Sequence, residues 1–310
     1  MAFPKLKSKA VLSPMAGVTD VAFRALGAKY GAGLTYTEFV SGTAIVRGNF
    51  KSLKMIETSP GEKPVAVQLF GNSVEDVCEA ARQLEHKFDV IDINCGCPAW
   101  KVIKTGAGSE LLKSPEKISS FVNKLVSSVN RPITVKIRKG IDDNNVNAVE
   151  VAKIVENAGA SAIAIHGRTQ KQGYSGLADW DIIKKVKESV NIPVIGNGDV
   201  FTPEQFKEKL DFSGVDAIMI ARGAIGNPYI FTQITDYLNK ESYEKINPIP
   251  LFFEYLEFAK KYGIDFSSIK THAMSFTKGI IGGADLRNKL SETKAVEEIS
   301  EVLNKFKEKA

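Results

Sequence analysis

The stretch Ile91-Asp92-Ile93-Asn94-Cys95-Gly96-Cys97-Pro98 orders the rest of the chain. Val90-Ile91-Asp92-Ile93 alternates as a buried strand does, and it stops at a Gly/Pro break that releases Asn94 and two cysteines into a loop. Reactive side chains commonly sit at such strand ends. A thiol of ordinary pKa, about 8.5, is mostly protonated at neutral pH, so Cys97 can serve as a general acid as readily as a nucleophile. A cysteine is more often inert packing than chemistry. Here Gly96 and Pro98 make a turn rather than a strand interior, which favours chemistry.

Working outward, runs rich in Val and Ile alternate with segments of helical period. Strands are expected over residues 10–13, 34–39, 65–70, 90–93, 133–137, 162–165, 194–195 and 217–220. Between them lie helical patterns over 74–86, 115–129, 149–158, 180–190 and 203–210. Ser73, Ser114-Pro115-Glu116 and Thr202-Pro203-Glu204 supply helix starts. Strands alternating with helices imply parallel pairing through right-handed crossovers. Eight such units within about 240 residues match a (β/α)8 TIM barrel. The rival, a doubly wound Rossmann sheet, carries G-x-G-x-x-G after its first strand. Gly106-Ala107-Gly108 is followed by Ser109-Glu110-Leu111, so that marker is missing.

The 310 residues, 44% hydrophobic and 25% charged, describe an ordinary globular chain with room for a large core and a smaller second domain. The N-terminus lacks the apolar core of a signal peptide and no stretch approaches a membrane span, so a cytoplasmic protein with no membrane partner is expected. Cys78, Cys95 and Cys97 cannot form a disulfide framework, and with three scattered histidines they do not assemble the spacing of a zinc site, so no metal is expected. The net charge of +5 permits an anionic partner without demanding one. Residues 240–310 hold 12 Lys/Arg against 11 Asp/Glu, so the excess is not a basic tail. Nothing in the sequence sets an oligomeric state.

In a barrel, residues following each strand share one face. That face would carry Pro14-Met15-Ala16-Gly17, Gln68 with Gly71, Asn94 with Cys97, Lys136 with Arg138, His166-Gly167-Arg168, Gly196-Asn197-Gly198-Asp199 and Ala221-Arg222-Gly223. Turn chemistry explains the glycines but not a Lys, a His, two Arg and a Cys together. Barrels often hold phosphate on the loops after strands seven and eight, where Gly198 allows close backbone approach and Arg222 can fork onto phosphate oxygens. Arg222 bridging surface carboxylates is the alternative. With Lys136, Gln68 and Met15 around the axis, the site suggests a planar phosphorylated cofactor such as FMN. Lys136 would hold charge on the reduced ring, Gln68 would hydrogen-bond its pyrimidine edge and Met15 would pack on its face. His166 either positions the ring or is a satisfied core histidine.

Taken together, these residues resemble the FMN-dependent tRNA-dihydrouridine synthases. The resemblance runs from Pro14-Met15-Ala16-Gly17-Val18-Thr19-Asp20 through Asn94-Cys95-Gly96-Cys97-Pro98 with Lys101-Val102 and Gly106-Ala107-Gly108. It continues through Val135-Lys136-Ile137-Arg138, His166-Gly167-Arg168-Thr169, Asn197-Gly198-Asp199 and Arg222-Gly223-Ala224 with Gly226-Asn227-Pro228. It spans the barrel, and the motifs in that order are specific although each alone is shared with other flavin barrels. It implies that NADPH (or NADH) reduces bound FMN and that a hydride passes to C6 of a uracil in tRNA. Cys97 then protonates C5 from the opposite face, with Asn94 orienting the base. Cys95 is packing in this reading. A uracil inside folded tRNA must be turned out to reach a barrel mouth.

Past Tyr229-Ile230-Phe231 the pattern is helical only, over 251–262, 269–281 and 293–307, after a joint at Pro248 and Pro250. The expectation is an FMN-binding barrel over 1–240 and a smaller all-helical domain over 241–310. The resemblance makes that domain a tRNA-recognition unit, with His272 and Arg287 at the tRNA and Phe276 where relatives carry an aromatic with a polar tip. Near-neutral helices would equally suit dimerisation or capping. Lys101, Lys104, Arg138, Lys139, Arg168 and Lys171 would make a phosphate-backbone track on the Cys97 face, diluted by Asp142, Asp143 and Asp179. Two other functions remain open at this point: an FMN reductase or dehydrogenase of a free pyrimidine, and a non-catalytic tRNA-binding chaperone.

Overall fold

Val11, Leu34, Tyr36, Ala66, Val90, Ala164, Ile195, Ala217 and Met219 pack as one cluster separate from the main core, with Phe3 and Leu6 against it. They are alternate residues of successive strands, and they fill the lumen of a closed sheet, as small and branched side chains do in barrels. A computed structural model describes residues 1–307. Its barrel strands are β1 (Ala10–Leu12), β2 (Thr35–Tyr36), β3 (Val65–Phe70) and β4 (Val90–Cys95). They continue with β5 (Ile133–Arg138), β6 (Ala162–His166), β7 (Val194–Asn197) and β8 (Ala217–Ile220). Their order is β1-β8-β7-β6-β5-β4-β3-β2, all parallel. Between β1 and the approach to β2, the Gly33 N–H donates to Ala10 O at 2.8 Å and the Leu12 N–H to Leu34 O at 2.9 Å. These bonds leave almost no free edge.

The main core lies between the strands and the helices around them. Helices Val74–Leu84, Trp180–Ser189 and Pro203–Ser213 begin on Ser73, Asp179 and Thr202, whose side chains accept a backbone N–H of the first turn. Pro115–Ser128 and Ala148–Asn157 complete the helical positions expected from periodicity.

Two departures from those expectations have local causes. The strand expected over 34–39 is broken into β2 and a short strand, Val40–Ser41, both paired with β3. At the break the Thr37 hydroxyl accepts the Gln68 N–H at 3.2 Å, replacing a backbone carbonyl. Glu38 then turns its carboxylate to the Gly17 N–H at 2.5 Å. The second departure is a helix, Val21–Lys29, that periodicity did not signal because residues 21 to 27 are all buried. Its outer face is covered by Pro248–Lys261, with Tyr255 donating to the capping Asp20 at 3.0 Å. No polar stripe is left to read.

That helix also steadies the loop above it. Arg24, fully buried, pairs with Glu62 at 2.6 Å and donates to Thr19 O at 2.6 Å. The Thr19 hydroxyl in turn accepts the Met15 N–H at 3.0 Å. After Ile230–Lys240, the chain continues in helices Pro248–Lys261, Phe266–Phe276, Gly283–Glu292 and Val296–Lys307. The third of these, Gly283–Glu292, was not expected from the sequence. Residues 308–310 of the expected 241–310 domain lie outside the described residues. No helix among the described residues is long and apolar enough to cross a membrane.

Candidate active site

A cavity of about 430 Å³ opens at the carboxyl ends of the strands. The first-strand loop gives it Pro14, Met15 and Ala16, while β3 to β6 give Gln68, Asn94, Cys97, Lys136 and His166. Asn197, Gly198 and Asp199 after β7, with Ala221 and Arg222 after β8, complete the other side. Parallel register brings these distant residues together: Asn94 lies opposite Lys136, and Gln68 opposite Asp92.

The Cys97 loop is held from several directions. Asn94 Oδ1 accepts the Cys97 N–H at 2.8 Å and the Gly96 N–H at 3.1 Å. Ser109 donates its hydroxyl to Cys97 O at 2.8 Å, and Arg138 Nε donates to Gly96 O at 2.9 Å. The thiol is partly buried, and desolvation pushes its pKa up against the lowering effect of Arg138 and Lys136. It therefore carries its proton at neutral pH. Cys95 is fully buried in the core and raised further, as packing requires.

Lys136 is a half-buried cation whose pKa is pulled down to about 8 by desolvation and by Arg138. Its Nζ reaches Asn197 Oδ1 at 3.3 Å, and among the described residues it has no ion-pair partner. Asn197 is fixed by donating to Met219 O at 2.8 Å. A desolvated cation facing a cavity with one long hydrogen bond favours a negatively polarised group there. His166 is kept neutral by burial and four neighbouring cations. Its Nε2 faces Arg168 Nη1 at 3.4 Å and must accept, which leaves the proton on Nδ1.

The far end of the cavity is built around Asp199, whose backbone sits at φ 51° in the left-handed region. Arg168, Arg222 and the Ala178 N–H converge on its carboxylate at 2.8, 2.9 and 2.7 Å. Arg222 is thus tied to a carboxylate of its own rim rather than to the protein surface. Its guanidinium also lies over Tyr174 and Phe201. A Cβ on Gly223 would come 2.3 Å from Val200 O, and one on Gly198 would come 2.4 Å from Ala178 Cβ. Only glycine lets the loops after β6, β7 and β8 approach so closely. Volume, unpaired Lys136, glycine loops and Arg222 together fit a planar cofactor bearing a phosphate.

Several residues expected at the RNA take partners within the fold. Arg168 is buried and donates to Ser175 O and Gly176 O as well as to Asp199, so it braces the loop after β6. Arg138 and Lys139 are likewise buried, and Arg138 serves Gly96, Thr169 and Gly173 carbonyls. His272 is buried between Phe23 and Tyr255, at ring distances of 5.0 and 4.3 Å, with Nε2 3.3 Å from Asp20 Oδ2. Phe276 is buried against Phe252 and Tyr255. The last two seal the C-terminal helices onto the barrel and face no solvent. Arg287 is half-buried and donates to Thr277 O at 2.8 Å. Lys101 is exposed just after the Cys97 loop, beside an exposed Trp100.

Tyr174, Phe39 and Phe201 also line the cavity and were not singled out from sequence. For Tyr174 the available signal was an aromatic within the Gly- and Ser-rich segment 173–176. Among the described residues no group of His, Cys, Asp and Glu has the arrangement of a metal site.

Comparison with known proteins gives consistent findings. A family profile described as Dihydrouridine synthase (Dus) matches residues 11–310. The tRNA-dihydrouridine synthase B of Pasteurella multocida is 43% identical over 239 residues, 77% of this chain and 72% of that protein. A probable tRNA-dihydrouridine synthase of Rickettsia conorii is 44% identical over 246 residues, 79% of this chain and 74% of that protein. Among solved structures, histamine dehydrogenase from Rhizobium sp. 4-9 aligns at a TM-score of 0.59 and 14% identity, over 82% of this chain and 49% of that one. That last likeness is one of fold alone.

Proposed function

This chain belongs to the dihydrouridine synthase family, and from that membership we propose that it binds FMN and reduces the C5–C6 double bond of a uridine in tRNA, with NADPH or NADH as reductant. The observation that carries the reading is one cavity shared by Cys97, Lys136 and the Arg222 end. When bound, the flavin supplies hydride transfer from the nicotinamide to C6 of the uracil.

The chain's own residues do the rest. Arg222 and the glycine loops hold the phosphate, Lys136 balances negative charge on the ring, and Met15 and Ala16 pack against it. Pro14, Gln68, His166, Asn197, Gly198, Asp199 and Ala221 complete the cradle. Cys97 delivers its Sγ proton to C5, and Asn94 holds the Cys97 loop while offering its amide to the base. Residues 1–240 are the catalytic part and 241–310 the tRNA-recognition part. Lys101 and Arg287 are the contacts retained for RNA, and the site of action is the cytoplasm.

The test is tRNA from a strain lacking dihydrouridine, incubated with protein, FMN and NADPH and read by mass spectrometry. Dihydrouridine is expected. Bound flavin with no product on tRNA, but turnover of a free pyrimidine, would replace this reading.

A further inference from the structure

Asp92 is a fully buried carboxyl in the middle of β4, below the cavity floor and outside the chemistry described above. Register places Gln68 and Thr134 on either side of it, and both donate to it. The Thr134 hydroxyl donates to Oδ1, and Gln68 Nε2 donates to Oδ2 at 2.7 Å. Gln68 Oε1 then accepts from Asn94 Nδ2 at 2.8 Å, which leaves Asn94 Oδ1 to accept the Cys97 and Gly96 N–H groups.

The direction of this chain is not free. An amide can flip end for end, and an amide between two amides has no preferred sense. Burial raises the Asp92 carboxyl to about 6 against the lowering effect of Thr134 and Gln68, so at neutral pH it is ionised; it then only accepts, and forces the NH2 end of Gln68 downward and the oxygen toward Asn94. Asn94 must then present its NH2 to Gln68 and its oxygen to the Cys97 loop. Reversing Gln68 would set two oxygens against each other at Asp92 and two NH2 groups against each other at Asn94. The fixed Gln68 amide also lines the cavity.

We propose that Asp92 is a positioning residue for uridine reduction: as the charged acceptor at the root of the Thr134–Asp92–Gln68–Asn94 chain, it sets the amide directions that fix the Cys97 loop and the face Gln68 turns to the cofactor. This rests on the function proposed above.

The hydrogen-bond sense gives a distinctive test. In Asp92→Asn the charge is gone and the new amide can turn either its oxygen or its NH2 toward Gln68, because the Thr134 hydroxyl can donate or accept, so the fixed sense is lost. In Thr134→Val the carboxylate still orients Gln68. Thr134→Val should therefore keep uridine reduction and the FMN dissociation constant within about threefold of the parent. In Asp92→Asn uridine reduction in single turnover should fall at least about tenfold. The FMN dissociation constant, measured by fluorescence quenching on the apoprotein, should rise together with an altered visible flavin band.

Asp92→Asn with parental spectrum, affinity and turnover, or Thr134→Val as impaired as Asp92→Asn, would overturn the proposal. So would a loss that follows thermal stability alone. Asp92→Leu gives a second route, since it removes the acceptor without removing volume: it should reproduce the Asp92→Asn defect, and parental FMN affinity and turnover in it would also refute the role. If the parent protein itself binds no FMN or makes no dihydrouridine, the proposed function has failed instead, and that is seen before any variant is made.

Discussion

Arg222 Nη2 lies 2.9 Å from Asp199 Oδ1, so the cation at the phosphate end of the cavity is aimed in advance by a neighbouring carboxylate. Burial of the Asp199 carboxyl would raise its pKa, but the two guanidiniums and the Ala178 N–H more than offset this, and the group stays ionised. Removing the cation should therefore do two kinds of damage: loss of a charge-assisted contact, and a carboxylate that keeps only Arg168 as counter-charge left facing an anion. Arg222→Ala is expected to weaken FMN binding by about 100-fold, near 3 kcal/mol. The check is the ratio of flavin to protein absorbance after purification, followed by titration of the apoprotein.

Gly223→Ala should have a similar effect without touching charge. Its Cβ would sit 2.3 Å from Val200 O, so the loops after β7 and β8 must part. The variant should fold and lose flavin, as measured by flavin content beside a circular dichroism melt.

Cys97→Ala should leave flavin bound and its reduction by NADPH within about twofold, while uridine reduction in single turnover falls by about 100-fold or more. The pH dependence has a definite sign. Because burial raises the thiol pKa, the proton-bearing form persists through neutral pH and is lost only on the alkaline side. Uridine reduction should decline with rising pH there, and that limb should vanish from the residual activity of the Ala variant.

Lys136 titrates at lower pH than an ordinary surface lysine. With its pKa drawn down to about 8, the free protein loses this cation at mildly alkaline pH. FMN affinity should weaken above about pH 8, by at most about tenfold per pH unit, and Lys136→Met should abolish that dependence. Apoprotein titrations between pH 6.5 and 9.5 would show it.

His272→Ala separates a packing role from an RNA contact. The imidazole fills the space between Phe23 and Tyr255, so its loss should cost about 2 kcal/mol of stability, read as a lower melting temperature. The KM for tRNA should stay within about twofold. A raised KM with an unchanged melting temperature would restore the RNA contact.

Much of the barrel was legible because its strands are buried on both faces and its turns carry Gly, Pro and capping residues. The run Val65 to Phe70 and the Ser73 start of the next helix are examples. The helix Val21–Lys29 was not legible, since covering its outer face with Tyr255 and its neighbours erased the polar stripe that periodicity needs. For the site, chain position after a strand was enough to gather Met15, Cys97, Lys136 and Arg222 on one face. It was not enough to say which basic residues meet solvent. Arg168 and Arg222 are the same residue type in similar Gly-flanked turns, yet one is buried among carbonyls and the other lines the cavity.

The sequence by itself determined the strand and helix alternation, the face on which reactive groups would meet, and the family, because these depend on local pattern and on motifs in order. The tertiary structure alone decided which polar groups are spent on the fold. Arg138 is satisfied by partners far away in the chain, Arg168 is tied to Asp199, His272 is enclosed by Phe23 and Tyr255, and Asp92 gains its place only when β3, β4 and β5 lie side by side. Burial and hydrogen-bond saturation are properties of neighbours in space, and a side chain's identity does not carry them.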